Sequence, residues 1–254
     1  MNFYFINPYF ELFTEMEDAG IVGTLLTYHS KESDYFIKVA RDIDIHKKIK
    51  YMIAIRPHLI SPEYLVRLTE GIKEISKEDR LQINLVSGAI VDEEYKMDRT
   101  LGPITNKSTT QERSDYLIEY IKMLNQLPQH LKPDYYVSAT NDFTIEAALA
   151  YDDKIMIPYH TYIRTHNLKD RKLMVYLSPI LRKTEEELDN LTGYDLEQIK
   201  YIEDVKFTYK KMNELVDKLK DEGIKEMMIS AWNYEDLKIN IDFVREYNQK
   251  KGKE

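Results

Sequence analysis

Four adjacent small or polar residues lie between a predicted strand and a predicted helix, where hydroxyls and backbone N–H groups can bind a phosphate group. They are Ser138, Ala139, Thr140 and Asn141. The strand is predicted over 135–138 and the helix over 143–150, so backbone N–H groups and hydroxyls at their junction would point to one place. The same residue types also form ordinary helix caps, and the local sequence leaves both interpretations open.

Polar side chains also end two other predicted strands. Arg56 closes a strand over 52–56, and Asn84 and Ser87 close a strand over 81–86. A guanidinium, an amide and a hydroxyl at neighbouring strand ends can hydrogen-bond a polar ring or a phosphate. Their alternative role is structural, as hydrogen bonds or an ion pair at the rim of a barrel.

Four histidines lie near predicted strand ends and are candidates for acid–base chemistry: His29, His58, His160 and His166. A single loop histidine is more commonly a hydrogen-bonding group, but His29 and His160 directly follow strands and could transfer a proton. The sequence has no H-x-H or H-E-x-x-H spacing and no cysteine, so it predicts no metal site. It also contains neither G-x-G-x-x-G nor a P-loop.

The clearest structural unit is the stretch 52–88, which reads as a strand, a helix and a second strand. Pro57 ends the first strand, and Ser61-Pro62-Glu63 supplies a helix N-cap, a proline at the first helical position and an acid in the first turn. The helix should bury four apolar residues at helical spacing, namely Leu65, Leu68, Ile72 and Ile75. Parallel pairing of the two strands then requires a right-handed crossover.

The rest of the chain alternates strands and helices in the same way. Further strands are predicted over 3–6, 21–28, 135–138, 154–158, 172–181 and 226–231. Helices are predicted over 8–18, 34–44 (with Phe36, Ile37 and Ala40 inward), 110–126, 143–150, a short stretch from 184, 196–221 and 234–247. Residues 88–112 have no sustained period and are predicted to form a long loop. Eight strands interleaved with helices predict an α/β fold, a single (β/α)8 TIM-type barrel over 1–254, with a short connection between the sixth and seventh strands.

Composition limits the class of protein. The chain has 254 residues, of which 43% are hydrophobic and 31% are charged, and its net charge is −8. The length is typical of one barrel. The chain is too apolar to be disordered, and it is too acidic to bind nucleic acid through a general basic surface. There is no run of about 18 apolar residues and no basic leader, so we expect a cytoplasmic protein that does not enter a membrane.

Two strings in this sequence resemble a known family. AIRPHLISPEYLVRL (54–68) and RLQINLVSG (80–88) are similar to the third and fourth strands of the bacterial luciferase-like flavin monooxygenases, in the A-x-R-P-x-x-x-S-P and R-L-x-I-N-x-V-[ST]-G pattern of the alkanesulfonate monooxygenase branch. The resemblance covers about 10–245. It implies a TIM barrel trimmed of a family insertion near the seventh strand, and a homodimer or higher homo-oligomer. It also implies reduced FMN from a separate NAD(P)H reductase and oxygenation of a small organic substrate.

The resemblance implies cofactor contacts at seven positions. The family loop Y-x-G-G-S-S, which grips the FMN phosphate, falls on 136–141, where Ala139 replaces the second glycine. A family D-E-R-Y helix start, whose tyrosine helps to hold the phosphate, falls on 111–114 with Ser114 at the tyrosine position. The family asparagine and threonine or serine that lie against the flavin match Asn84 and Ser87. The implied cofactor-binding residues are Asn84, Ser87, Ser114, Ser138, Ala139, Thr140 and Asn141.

The catalytic positions of the resembling family are changed in this chain. The family cysteine after strand two becomes Glu32 in an ungapped alignment, and the family arginine and histidine of strand seven become Tyr176 and Ser178. Loss of a cation and an imidazole argues against an alkanesulfonate substrate. Arg56 matches a family arginine, and His29 could replace the missing acid–base group. The candidate catalytic residues are therefore His29, Glu32, Arg56, Tyr176 and Ser178.

Three alternatives to a monooxygenase stay open. The protein could bind flavin without oxygenating a substrate, could be a barrel enzyme that binds no flavin, or could be a non-catalytic subunit of a larger assembly. Under the leading hypothesis, the loop over 88–112 would be a lid. Trp232 follows the last strand and would lie either over the barrel mouth or in the core.

Overall fold

The computed structural model describes residues 1–27, 34–87, 109–151, 154–165, 168, 171–192 and 205–252. Its parallel strands form a closed eight-stranded barrel, which confirms the predicted α/β TIM-type fold. In chain order the strands are β1 (Asn2–Ile6), β2 (Gly23–Leu26), β3 (Lys50–Ile55), β4 (Leu81–Leu85), β5 (Tyr135–Ser138), β6 (Lys154–Pro158), β7 (Leu173–Leu177), β8 (Ile180–Arg182), β9 (Lys206–Thr208) and β10 (Glu226–Ser230). The order around the barrel is β1-β10-β7-β6-β5-β4-β3-β2, while β8 and β9 form a separate two-stranded parallel sheet.

Helices follow most of these strands. Those in the described residues are α1 (Phe13–Asp18), α2 (Tyr35–Asp42), α3 (Pro62–Ser76), α4 (Thr110–Gln126), α5 (Asp142–Ala150), α6 (Tyr159–Tyr162), α7 (Glu185–Asp189), α8 (Tyr209–Asp221) and α9 (Tyr234–Lys251). Two 3-10 segments, Phe10–Leu12 and Pro57–Leu59, lie ahead of α1 and α3. In this part of the chain no helix combines the length and apolarity that a membrane crossing requires.

The chain divides into two compact units. The terminal unit comprises Met1–Thr24 and Pro158–Glu254, and the central unit comprises Leu25–Ile157. The prediction of one domain over 1–254 stays a prediction.

In the central unit, contacts with the helices identify which residues face the barrel interior. The Tyr51 hydroxyl donates to the Asp42 carbonyl of α2 at 3.3 Å, and the Tyr135 hydroxyl donates to Asn125 of α4 at 3.1 Å. Successive strand residues point to opposite faces, so the alternate residues face inward. Asn84, which pairs with Tyr136 across the β4–β5 ladder, therefore lies inside the barrel.

In the terminal unit, contacts with α9 identify which residues of β1 face the barrel interior. The Phe3 ring packs edge-on against Phe243 and Tyr247 of α9, with centroid distances of 6.3 and 5.5 Å. Tyr4 therefore faces the interior. It pairs with Met228, which in turn pairs with Tyr176 on β7, so the three side chains share one interior level.

The start of α3 agrees with the prediction, whereas two of the apolar residues predicted to be inward are not buried. Ser61 Oγ accepts a hydrogen bond from the Tyr64 N–H at 3.3 Å, and Pro62 is the first helical residue. Ile75 is 47% exposed and Ile37 of α2 is 71% exposed. At about 100° per residue, Ile75 lies about 80° from Leu65 at the centre of the buried face, and Ile37 lies about 100° from Phe36. Both therefore point to solvent.

The segment after β7 also differs from the prediction. The predicted strand over 172–181 is wrong beyond Leu177, because Pro179 has no N–H to donate and the Ile180 N–H pairs with the Val205 carbonyl at 2.6 Å. The predicted helix over 196–221 is wrong at Lys206–Thr208, which forms β9. Residues 193–204 lie outside the described part of the chain.

Two smaller differences concern other predicted segments. The predicted irregular stretch over 159–171 begins with the short helix α6. The connection between β6 and β7 is short, as predicted. The predicted helix over 8–18 begins as a 3-10 turn at Phe10 and becomes α-helical only at Phe13.

Arg80 connects the end of α2 to the start of β4. The residue is buried, and its guanidinium donates to the carbonyl oxygens of His46 at 2.8 Å and Ile49 at 3.3 Å, and also to that of Ile43. These carbonyls follow the last turn of α2, where backbone acceptors have no intrahelical donor. One side chain therefore satisfies three acceptors.

We expect Arg80→Met to lower the free energy of unfolding by about 3 kcal/mol, because three carbonyl groups would lose a charged donor. Urea denaturation monitored by circular dichroism measures this change. Arg67→Met is the matched control, because Arg67 is exposed on α3, and its effect should stay within about 0.5 kcal/mol. Equal effects of the two substitutions would show that the Arg80 contacts do not stabilise the fold.

Candidate functional site

Polar residues at the carboxyl ends of β3 and β4 are buried in the central unit. Arg56 follows β3, Asn84 lies near the end of β4 and Ser87 follows it, and all three side chains are buried. Ligands of TIM barrels bind at these strand ends. The structure therefore places these three predicted site residues at the appropriate end of adjacent strands.

Asn84 has a side chain that the protein only partly satisfies. It is 2% exposed, and its Nδ2 donates only weakly, to Met156 Sδ at 3.9 Å. Among the described residues, nothing donates a hydrogen bond to its Oδ1. A buried polar atom without a partner costs about 1–3 kcal/mol, and such atoms are rare in native proteins. A ligand with a hydrogen-bond donor would remove this cost.

A second unsatisfied group lies at the start of α4. Thr109 and Glu112 form a reciprocal capping box, with Thr109 Oγ1 accepting from the Glu112 N–H at 3.1 Å. Ser114 is fully buried one turn later, and within the described residues its hydroxyl has no hydrogen-bond partner. The helix α4 packs against Pro57–Leu59, the segment that directly follows Arg56.

Arg113 is a buried residue that the sequence reasoning missed. The residue is buried and shares a helical face with the buried Leu117, Tyr120 and Leu124. Helical spacing could have identified it, because residues 113, 117, 120 and 124 recur at intervals of three and four. A charged residue on an apolar face is a signal for a specific role.

The β5–α5 junction is a helix cap in which the protein uses its own N–H groups. Asn141 Oδ1 accepts from the Thr144 N–H at 3.1 Å, and Thr144 Oγ1 accepts from the N–H groups of Thr140 at 3.1 Å and Asn141 at 3.2 Å. The Ala139 N–H donates to the Met156 carbonyl at 2.8 Å. Ser138 is partly exposed and Thr140 is exposed. A phosphate contact at these four residues stays a prediction, and it would depend on hydroxyls more than on these backbone amides.

In the terminal unit, Tyr176 and Ser178 occupy the changed family positions. Tyr176 lies on the interior face of β7, and Ser178 directly follows the strand. Burial raises the pKa of the Tyr176 hydroxyl above its ordinary value. The phenol therefore stays protonated at neutral pH and can donate a hydrogen bond. Two residues later, the Ser178 carbonyl accepts a hydrogen bond from Trp232 Nε1 at 2.9 Å. Trp232 is 44% exposed, so it is not a core residue.

Several predicted site residues lie outside the described part of the chain. These are His29, Glu32 and His166, together with 88–108 of the predicted lid. His58 lies in the 3-10 segment after β3, and His160 lies in α6. Across the described ranges, no three His, Asp or Glu side chains come together as a metal site.

Comparison with known proteins reveals similar structures but no matching sequence family. No protein-family model matches the sequence. A long-chain alkane monooxygenase superposes with a TM-score of 0.68 at 12% identity, covering 99% of this chain and 92% of that one. DmoA from Hyphomicrobium sulfonivorans gives 0.65 at 11% identity, covering 95% and 81%. The coenzyme F420 dependent tetrahydromethanopterin reductase from Methanopyrus kandleri gives 0.61 at 12% identity, covering 96% of each chain.

These similarities show a shared fold at low sequence identity. The chain therefore shares the TIM-barrel fold of these proteins, and the luciferase-like family that its 54–68 and 80–88 strings resemble stays a prediction. The narrower prediction of the alkanesulfonate branch stays a prediction.

We expect Asn84→Leu to stabilise the ligand-free protein by about 1 kcal/mol, because it replaces a poorly satisfied buried amide with an apolar side chain of similar volume. Thermal unfolding should show a rise in melting temperature of about 2–4 °C. Gln82→Leu on the same strand is the comparison: Gln82 Oε1 also has no partner among the described residues, but its Nε2 donates to Asp134 at 2.8 Å, so this substitution should stabilise less than Asn84→Leu. Destabilisation by Asn84→Leu would mean that the amide is satisfied in solution.

Proposed function

We propose that the protein is a flavin-dependent monooxygenase. It uses reduced FMN supplied by a separate NAD(P)H reductase and oxygenates a small organic substrate other than an alkanesulfonate. The observation that carries the proposal is the buried, unsatisfied Oδ1 of Asn84 at the carboxyl end of β4, in a barrel that shares its fold with a long-chain alkane monooxygenase.

The buried groups of the central unit suit the ring system of a flavin. A flavin ring carries N–H donors and carbonyl acceptors, so Asn84 Oδ1 can accept from the ring and the Ser114 hydroxyl can donate to it or to the phosphate. Arg56, Arg113 and Ser87 supply further buried donors near the same strand and helix ends. When bound, reduced flavin would supply the electrons and the activation of oxygen, and the protein would orient it and exclude water.

The phosphate would be held mainly by side chains. Ser138 and Thr140 offer hydroxyls at the β5–α5 junction, in the positions that match the family phosphate loop. Asp142 lies at the first position of α5 and places a negative charge where an anion would otherwise benefit from the helix dipole. The affinity for the phosphate should therefore be lower than a neutral helix start would give.

The substrate positions favour a neutral substrate. Tyr176 and Ser178 carry no charge at neutral pH, and the protonated Tyr176 hydroxyl can donate a hydrogen bond to a substrate oxygen. Arg56, His29 and Glu32 complete the proposed catalytic set. His29 or Glu32 would transfer the proton that the family histidine transfers elsewhere.

A second candidate function is flavin binding without oxygenation, which the change of the family arginine and histidine to Tyr176 and Ser178 favours. A non-catalytic subunit is the third possibility. Free reduced flavin consumes oxygen by itself, so the distinguishing measurement is an oxygenated product formed from an added substrate in the presence of NADH, a flavin reductase and FMN.

The first prediction of this proposal concerns the affinity for FMN. Calorimetric titration should show binding on the order of micromolar that is tighter for reduced than for oxidised FMN. Asn84→Ala should weaken it by about tenfold, because a buried hydrogen bond is lost.

Asp142→Asn is the control in the opposite direction. It should tighten FMN binding by about two- to fivefold and leave riboflavin, which has no phosphate, unchanged. Binding of oxidised FMN alone would favour the second candidate. Failure of FMN and of coenzyme F420 to bind at near-millimolar protein would contradict any flavin-type cofactor.

We further propose that the protein is a homodimer that uses an apolar stripe on α3. The stripe is formed by Tyr64, Leu68, Gly71 and Ile75, which recur at intervals of four, three and four residues and are all at least partly exposed. A Cβ at Gly71 would meet no described atom within 4 Å. A glycine inside a helix costs about 1 kcal/mol relative to alanine, so close approach of a second copy supplies a reason for it.

A charge placed in this stripe should dissociate the dimer. Ile75→Glu should convert a dimer into a monomer of 30.2 kDa, because the interface would bury an unpaired charge. Light scattering coupled to size-exclusion chromatography measures the mass. Lys73→Glu, an exposed change on another side of α3, should leave the mass unchanged, and an unchanged mass for both variants would contradict the stripe as the interface.

A further inference from the structure

We propose that the terminal unit carries a stacking surface for a neutral substrate with a flat apolar ring, formed by Tyr9, Trp232 and Tyr234. These residues follow the carboxyl ends of β1 and β10, two neighbouring strands of the barrel. Carboxyl strand ends are where TIM barrels bind substrates. The inference names the substrate class of the proposed function, and it rests on that function for identifying the ligand as the substrate.

Trp232 has an exposed ring surface whose one polar group, the indole N–H, is already hydrogen-bonded within the protein. Its exposed fraction is 44%, which is high for a residue type that is buried on average. The indole N–H, its single polar group, donates to the Ser178 carbonyl at 2.9 Å. This bond restricts the orientation of the ring and leaves its exposed part able to bind only through apolar and stacking contacts.

Two tyrosines extend the same surface. Tyr9 and Tyr234 make an edge-to-face contact, with ring centroids 5.0 Å apart and an interplanar angle of 74°. Asn233 between Trp232 and Tyr234 is extended, with φ −154° and ψ −179°, so these two side chains project to the same side of the chain. Tyr9 is among the large hydrophobic side chains that stay exposed. Aromatic rings lose few rotamers on binding and supply a large contact area, which is why they recur at recognition surfaces.

Local backbone structure holds these rings in place before any ligand binds. Asn7 has a φ of 45°, a left-handed conformation that asparagine tolerates better than most residues, and it turns the chain between β1 and Tyr9. Asn233 Oδ1 accepts from the Asp236 N–H at 2.9 Å and caps α9, which fixes the backbone between Trp232 and Tyr234. A recognition surface positioned in this way loses little entropy on binding.

The charges near these rings favour a neutral ligand. Lys238 Nζ lies 4.8 Å from the centroid of the Tyr234 ring, so a cation already uses that ring face. Asp236 is buried and pairs with Arg182 at 2.9 Å, so these two charges neutralise each other. The chain as a whole has a net charge of −8, which would not attract an anion.

The test is calorimetric titration of the cofactor-free full chain with three probes of matched size. They are 2-naphthol, which is flat and neutral, its saturated counterpart decahydro-2-naphthol, and the anion 2-naphthalenesulfonate. The flat neutral probe should bind at least about tenfold more tightly than the other two. Equal affinity for the saturated probe would overturn the stacking surface, and preference for the sulfonate would overturn the neutral ligand.

Substitutions assign the binding to this surface. Because Trp232 is the only tryptophan in the sequence, Trp232→Ala removes all indole and should weaken 2-naphthol binding by at least about tenfold. Trp232→Phe keeps an aromatic face and should stay within about threefold. Phe143→Ala is the matched control, because Phe143 is 46% exposed in the central unit. Unchanged affinity for Trp232→Ala would show that the probe binds elsewhere.

Competition with FMN separates this inference from the proposed function. If FMN binds and 2-naphthol affinity is unaffected, the rings belong to the substrate, as proposed. If FMN displaces 2-naphthol competitively, the rings belong to the cofactor and the inference is wrong while the flavin proposal stands. If 2-naphthol binds through Trp232 but no flavin binds, the flavin proposal is wrong, the stacking surface stands and its ligand is not a monooxygenase substrate.

Discussion

Parallel pairing of strands in a closed barrel is the constraint on which every candidate site residue depends. Strand residues alternate between the helices and the interior, and all strands end at the same rim. The pairing of Asn84 with Tyr136 therefore places an amide inside the barrel, and the pairing of Met228 with Tyr176 does the same for a phenol. A register shift of one residue would turn these groups toward the helices and leave no polar interior.

Buried polar groups without partners have an energetic cost that a hydrogen-bonding ligand would offset. The buried Asn84 Oδ1 and Ser114 hydroxyl lack hydrogen-bond partners in the described chain, and each costs stability in the absence of a ligand. At the β5–α5 helix cap, by contrast, the protein satisfies its own donors, because Thr144 accepts from the N–H groups of Thr140 and Asn141. A ligand at these strand and helix ends would therefore bind through side chains more than through a backbone cradle.

Local sequence signals predicted much of the fold and less of the site. Local signals gave the correct start of α3 and correct bounds for α4, β5 and β6, because caps and prolines act over a few residues. The prediction failed at β8 and β9, which pair with each other across about 25 residues and have no local signature. The prediction also missed Arg113, although its helical spacing with Leu117, Tyr120 and Leu124 could have identified it. It placed Ile75 in the core, because only packing decides which part of an apolar helix face is buried.

The sequence by itself determined the barrel class, the polar residue types at the strand ends, the net charge of −8 and the presence of a single tryptophan. Tertiary structure alone decided which of those groups stay free for a ligand. The indole N–H of Trp232 is used by Ser178, 54 residues away, and the Asn84 amide contacts Met156 across 72 residues. Hydrogen-bond satisfaction is a property of the whole surroundings of an atom, and most of those surroundings come from distant parts of the chain.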